Sequence, residues 1–252
     1  LTCSTGAVAD DPFTVTTTHV GTTTLKYNVT AKDASVKYCT FATGYDYYQR
    51  WQLEEGTNGD VIKHFISMWS TFASWYGENW QTMMKYDRRE GTYEGDGYHL
   101  MWDARQVVIT FGMDDDGNLV TPIQVDSIHT NAPTPVDMDI PVTVLSNEWG
   151  DQQIKAAPTT NTPYFITMQP AAYVDLYKTD AALLRALCYE ADNINPTDLA
   201  RTRDEDLRDG LWEFRVRKDV DTDYYIIAVG LDEGAPATRA FKTKITVPGG
   251  SF

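Results

Sequence analysis

Val107–Asn118 reads VVITFGMDDDGN, and Tyr224–Ala235 reads YYIIAVGLDEGA. With Gly112 set on Gly230 the two agree in kind: an apolar strand, a glycine, an acidic turn. In the first, Val107, Ile109, Phe111 and Met113 alternate onto one face; in the second, Tyr225, Ile227, Val229 and Leu231 do the same. The opposite faces carry Val108 and Thr110, and Ile226 and Ala228, so neither face is charged before Asp114 or Asp232. An antiparallel strand with one face in water shows polar residues on that face. Something therefore covers the second face of both strands.

An inserted amphipathic helix is the obvious cover. Asp60–Tyr76, DVIKHFISMWSTFASWY, places apolar residues at Val61/Ile62, Phe65, Met68/Trp69, Phe72 and Trp75/Tyr76. That three-to-four spacing predicts a helix and assigns Trp69 and Phe72 to the core. Asp60 suits its N-cap and Gly77 its C-terminal stop. A further helical turn or two is expected in NWQTMMKYD. In the second copy, Thr179–Asp192, TDAALLRALCYEAD, puts Leu183, Leu184, Leu187 and Ala191 on one stripe, and a short helix is expected to open at Pro196.

Strand patterns flank both helical segments. FTVTTTHVGTTTLKYNVTA, from Phe13, is rich in Thr and Val with a turn at Gly21, and ASVKYCTFAT follows as a third strand. After the helix come YHLMW, RQVVITFGMD and LVTPIQVDSIHT. The block closes at NAPTPVD, a linker stiffened by two prolines, which predicts limited freedom between the halves. The second block repeats the order: IPVTVLSNEWGDQQIKAAP with a turn at Gly150, PYFITMQ with Tyr164 on Tyr38, the helix, GLWEFRVRKDVDTDYYIIAVGLD, and TRAFKTKITVP. Two copies of roughly 115 residues are tandem domains rather than a solenoid, whose repeats run ~20–45 residues. Residues 1–12 read as an N-terminal tether, 13–131 as the first domain and 138–250 as the second.

Composition narrows the function classes. The chain has 252 residues and a formal net charge of −15. That field repels phosphate backbones and anionic lipid surfaces, so nucleic acid is not an expected partner. Three cysteines leave at least one unpaired in a monomer, and no Cys/His cluster suggests zinc. Cys39 and Cys188 lie in strand-like and helix-like runs and read as small buried hydrophobes. Cys3, in LTCSTGAVADDP, stands outside any core pattern. No long apolar run predicts a membrane span.

The candidate binding residues are aromatic. GYDYYQRW and WYGENW supply Tyr45, Tyr47, Tyr48, Trp51 and Trp80, and such rings can stack on sugars or pack between helix and sheet. DDDGN resembles a calcium loop superficially, but the first ligand position falls on Gly112, so an acidic hairpin turn is expected. Glu54/Glu55, Asp87/Glu90 and Asp204–Glu205–Asp206 read as solvated faces. His19, His64, His99 and His129 share no ligand spacing, and no nucleophile, metalloprotease or phosphate-loop motif is present, so no catalytic residue, cofactor or metal is assigned.

YHLMWDARQVVITFGMDDDGNL and FRVRKDVDTDYYIIAVGLDEGA resemble the closing strands of fibronectin type III-like domains, and the whole chain is similar to tandem Ig-like or fibronectin III-like domains of Bacteroidetes surface lipoproteins. The resemblance covers Phe13 to Val247. It implies a mainly β fold with helical insertions: two tandem Ig/fibronectin III-like β-sandwiches, each with an inserted helix. It implies a tyrosine corner at Thr222–Asp223–Tyr224, from which the first copy departs with Ala104, Arg105 and Gln106. It further implies a secreted chain on the outer-membrane surface or the periplasmic side, touching the membrane only through a lipid on Cys3. Asp126–Ser127–Ile128 matches the O-glycosylation triplet of that phylum. The expected function is a non-catalytic adhesion or binding module, with glycans or other surface proteins as partners. The alternatives are an accessory or catalytic carbohydrate-active protein, and a pilus-type subunit exchanging the Phe13–Val20 strand.

Overall fold

The structure is a computed structural model that describes residues 11–54, 60–190, 199–206 and 208–251. Cys3, Glu55, Ala191, Asp192 and Pro196 lie outside the described residues, as does nearly all of the expected tether. The chain divides into two units, Leu1–Asn131 and Ala132–Phe252.

The first unit runs β1 (Phe13–Val20), β2 (Leu25–Ala31), β3 (Tyr38–Gly44), α1 (Tyr45–Leu53), α2 (Val61–Tyr76), α3 (Trp80–Asp87), β4 (Thr92–Gly97), β5 (Arg105–Gly112) and β6 (Gln124–His129). Its strands form two antiparallel sheets, ordered β1-β2-β4 and β3-β5-β6. The strand considered for exchange, β1, pairs with β2 of its own chain from Phe13 to Val20.

The second unit runs β7 (Val142–Glu148), β8 (Asp151–Ala156), β9 (Tyr164–Pro170), α4 (Ala171–Val174), α5 (Asp180–Arg185), a π-helical turn (Ala186–Glu190), β10 (Leu211–Phe214), β11 (Thr222–Asp232), β12 (Ala235–Pro236) and β13 (Phe241–Val247). Its sheets are β10-β8-β7 and β9-β11-β13, with β12 on the end of β11. In both units the first, second and fourth strands share one sheet, while the third strand, the long apolar strand and the last strand share the other. Each unit is a fibronectin III-like two-sheet sandwich with a helical insertion between its third and fourth strands.

The apolar strand is uncharged on both faces because it is covered on both. Val108 joins Phe13, Leu25, Tyr27, Val29 and Tyr38 in the core between the sheets. Val107, Ile109, Phe111 and Met113 join Val61, Ile62, Phe65 and Trp69 of α2 and Met84 of α3. Burying each such side chain contributes about 1.5–3 kcal/mol, so a strand used twice is among the most stabilising in the unit. In the second unit Tyr164 packs on Trp212 of the opposite sheet, 5.9 Å between rings. The register then sets Ile226 and Ala228 on that inner side with Met168 and Ile166. Ile227, Val229 and Leu231 take the other side, and Leu183, Leu184 and Leu187 belong to the same cluster.

The repeated glycine is a joint where the strand ladder ends. Gly112 N–H donates to Thr121 Oγ1 at 2.8 Å, and that hydroxyl donates to Pro122 O at 2.9 Å. Gly230 N–H donates to Thr238 Oγ1 at 2.9 Å, and that hydroxyl donates to Arg239 O at 2.9 Å. A Cβ on Gly112 would lie 2.8 Å from Thr121 Cγ2 and 2.9 Å from Val120 Cγ2 and Val36 Cγ1; one on Gly230 would lie 2.8 Å from Thr238 Cγ2 and 2.9 Å from Met138 Sδ. Space, not backbone angle, requires glycine at both.

Several expectations need correction. The strand before β5 is TYEGDG, not YHLMW. Gly95 and Gly97 weaken its β-propensity after Thr92 and Tyr93, yet the strand pairs with β2 to its end, and the Tyr27 ring fills the space above Gly95. Leu100 and Met101 are buried, but off the ladder, in a loop where His99 and Asp103 take positive φ. Tyr45–Leu53 forms a helix that the sequence reading does not include, with Tyr45, Tyr48 and Trp51, three apart, on its packed side. Thr179 caps α5, accepting from Ala182 N, but the regular helix ends at Arg185 and passes into the π turn. Phe72 is 40% exposed, not core. No corner bond forms at Tyr224 among the described residues; the tyrosine whose hydroxyl spans backbone is Tyr38, donating to Val29 O at 2.9 Å and Gly91 O at 3.1 Å.

Candidate aromatic contact site

The sequence-derived ring set gathers around the helix–sheet core of the first unit. Tyr45, Tyr48, Trp51 and Trp80 are half-buried and packed on that core. Arg105 stacks over the Tyr45 ring at 3.8 Å, and Tyr45 lies 6.2 Å from Tyr48. Burial raises the Tyr48 phenol above its ordinary pKa. Trp51 stacks on His64 at 4.2 Å and 11°, and the His64 ring also bonds Glu54 at 2.8 Å. Trp80 stacks on Trp69 at 6.2 Å and 12°, and its far edge covers Gly117. Tyr47 is half-buried with the Arg50 guanidinium 4.5 Å over its ring. The fold therefore uses Tyr45, Tyr48, Trp51 and Trp80 to fasten α1, α2 and α3 to the sheet.

Other rings of the same helical insertion face outward. Trp75 is 68% and Tyr76 72% exposed, on the last turn of α2. The buried side of α2 is Val61, Ile62, Phe65, Trp69 and Ala73, and burial stops there although the helix continues. Phe72 meets Trp75 edge-on at 5.2 Å and 80°, which supports the indole from one side. Gly77, at φ +69, closes the helix in the left-handed region, and its N–H and that of Glu78 both bond Ala73 O. A capped final turn thus presents two large exposed rings. The apolar spacing that marks α2 in the sequence gives no sign that its last turn passes beyond the core.

The polar candidates are occupied by structure. Asp114 accepts from Asn118 Nδ2 at 3.0 Å, Asn118 N at 2.8 Å and, as an Asx turn, Asp116 N at 3.0 Å, and these bonds, the Asn118 side chain first, hold its carboxyl below the usual range. A cavity of about 490 Å³ beside it is lined by Lys37, Arg88 and Asp114–Asp116, but Arg88 is tied to Asp115 and to Met113 O. Asp206 is not on a solvated face: its side chain is 3% exposed and accepts from Arg208 N and Gly210 N, both at 2.9 Å. Asp87 accepts from Trp69 Nε1 at 2.7 Å. Ser127 of the DSI triplet is exposed, with its hydroxyl bonded by Arg105. Among the described residues no group of His, Cys, Asp and Glu is placed to hold a metal, and no helix is long and apolar enough to cross a membrane.

No protein-family model matches the chain, and no curated protein matches its sequence. Solved structures similar to it include the FN1–FN3 domains of chicken CNTN1, at TM-score 0.28 and 10% identity, over 94% of this chain and 66% of that one. A two-domain fibronectin type III segment of chicken tenascin is another, at TM-score 0.29 and 8% identity, over 94% and 99%. The chain thus spans just under two thirds of the first structure's length. The fold assignment rests on the strand order of the two units themselves.

Proposed function

We propose that the chain is a non-catalytic binding module of a cell surface, and that the end of α2 is its contact surface. A sandwich fold alone assigns no activity, so the reading rests on the site. The observation that carries it is the exposure of Trp75 and Tyr76 on a capped helix end, when the chain buries most of its other tryptophans at least in part. Exposed rings of this size mark recognition surfaces, because each offers large apolar area at low conformational cost. Glycans and surface proteins are the two partner classes. Tethering through a lipid on Cys3 belongs to the same proposal and is supported only by the resemblance of the sequence.

An array printed with glycans and purified extracellular proteins tests the surface. The chain is expected to bind at least one spot, and a Trp75→Ala/Tyr76→Ala variant with unchanged circular dichroism is expected to lose it. Binding retained by the variant would remove α2 from the proposal. Incorporation of labelled palmitate into a chain expressed with a lipoprotein leader, and its loss in Cys3→Ser, tests the tether separately.

A further inference from the structure

Resting on that reading of α2, we infer that the occupant of the Trp75–Tyr76 surface is a short, non-anionic oligosaccharide rather than a protein. Two observations carry this. The first is size. Phe72, Trp75 and Tyr76 are 40%, 68% and 72% exposed. At ~200 Å² per aromatic side chain they offer roughly 360 Å². A stable protein interface needs about 800 Å² from each partner. A folded partner would have to draw more than half of that footprint from the surface around the rings, whereas a few sugar rings are covered by the rings alone.

The second is charge. From Phe72 to Thr82 the one charged residue is Glu78, which follows the capping glycine directly. No cation of this segment stands ready to pair a carboxylate or sulfate on a ligand. The whole chain adds a field of net charge −15. Sugars carrying uronic, sialic or sulfate groups meet repulsion from both. Neutral and amino sugars do not. The apolar face of a neutral pyranose can lie on the Trp75 indole while Phe72 holds the indole's orientation.

Titration of the full chain with neutral gluco-, manno- and galacto-oligosaccharide trimers, and with an oligogalacturonate trimer, tests the inference. The readouts are tryptophan fluorescence and calorimetry at low and physiological salt. At least one neutral trimer is expected to bind, and Trp75→Ala to weaken it at least tenfold while Trp75→Phe retains part. Glu78→Gln is expected to leave the neutral trimer unchanged and to improve the acidic one. An acidic trimer bound as tightly as a neutral one, and lost in Trp75→Ala, overturns the ligand class but upholds the surface. No trimer bound, with protein spots on the array captured through Trp75, overturns this inference and leaves the binding-module reading standing. Neutral binding indifferent to Trp75→Ala overturns both.

Discussion

Gly117 takes φ +90, and a Cβ there would run into the Trp80 indole at Cη2. The DDDGN turn and the first residue of α3 therefore fit only because this position has no side chain. The acidic-turn reading found the glycine but not its ring partner, since contact between distant segments leaves no local pattern. Gly112 and Gly230 tell a similar story: their repetition is plain in the sequence, while the crowding that demands it is visible only where Thr121 and Thr238 return. Gly230→Ala is expected to cost about 1–3 kcal/mol by overpacking. Urea denaturation should show a lower midpoint at unchanged slope; an unchanged midpoint would mean that Met138 and Thr238 move aside freely. The thiols make a second residue-scale prediction. Desolvation pushes both the buried Cys39 and the half-buried Cys188 up to about 12, so at pH 8 both stay protonated and react slowly. With three cysteines in the chain, no more than one should label with a thiol reagent in the native state. Labelling of two or more would show that one of these thiols is accessible.

At the scale of the element, α2 carries two kinds of tryptophan at the same helical spacing. Trp69 is 1% exposed, donates to Asp87, stacks on Trp80 and meets Phe41 at a tilt. Trp75 is 68% exposed and touches Phe72. Trp69→Ala is expected to cost about 3–5 kcal/mol, and Trp75→Ala no more than about 0.5 kcal/mol, as at surface sites generally. Chemical denaturation of both variants checks this, and equal costs would put Trp75 in the core. The periodicity of Asp60–Tyr76 foretold the helix and its cap, and the uncharged second face of β5 foretold what the helix covers. It could not foretell where the cover ends, because that depends on the extent of the sheet beneath. In α1 the half-buried Tyr45, Tyr48 and Trp51 stand three apart, a stripe too short to be told from a loop of aromatics, and β4 owes its glycines to distant partners, Tyr27 over Gly95 and Leu25, Ala42 and Leu100 around Gly97. Of the rings at the candidate surface the spacing assigns Phe72 to the core, while Tyr45, Tyr48, Trp51 and Trp80, open in the sequence to either sugar stacking or packing, pack on the core.

At the scale of the whole molecule, the strong acidity and the paired carboxylates act in opposite directions as pH falls. Hydrogen bonds or ion pairs hold Asp33, Asp114, Asp115, Asp209 and Asp223 below the usual carboxylate range. The causes are Ser35 for Asp33, Asn118 for Asp114, Arg88 for Asp115, Lys155 for Asp209, and Lys244 with Thr246 for Asp223. A group depressed by folding contributes stability above its unfolded value, about 3.9 for Asp, and loses it as pH falls through the folded value. Asp126 runs the other way, raised by burial, but it is one against five. Lys244 is raised by Asp223, so its share is present below about 10.4 and is lost as pH rises past the folded value. Acidification from pH 7 towards 5 leaves these pairs intact and begins to relieve the repulsion of a net charge of −15. Scanning calorimetry should therefore find Tm holding or rising slightly from pH 7 to 5, then dropping between about 4 and 2. Added salt at pH 7 should raise Tm by screening the repulsion. A Tm at pH 2.5 equal to that at pH 6 would show that these carboxylates hold nothing together, and a fall in Tm with salt would show that the pairs outweigh the net field.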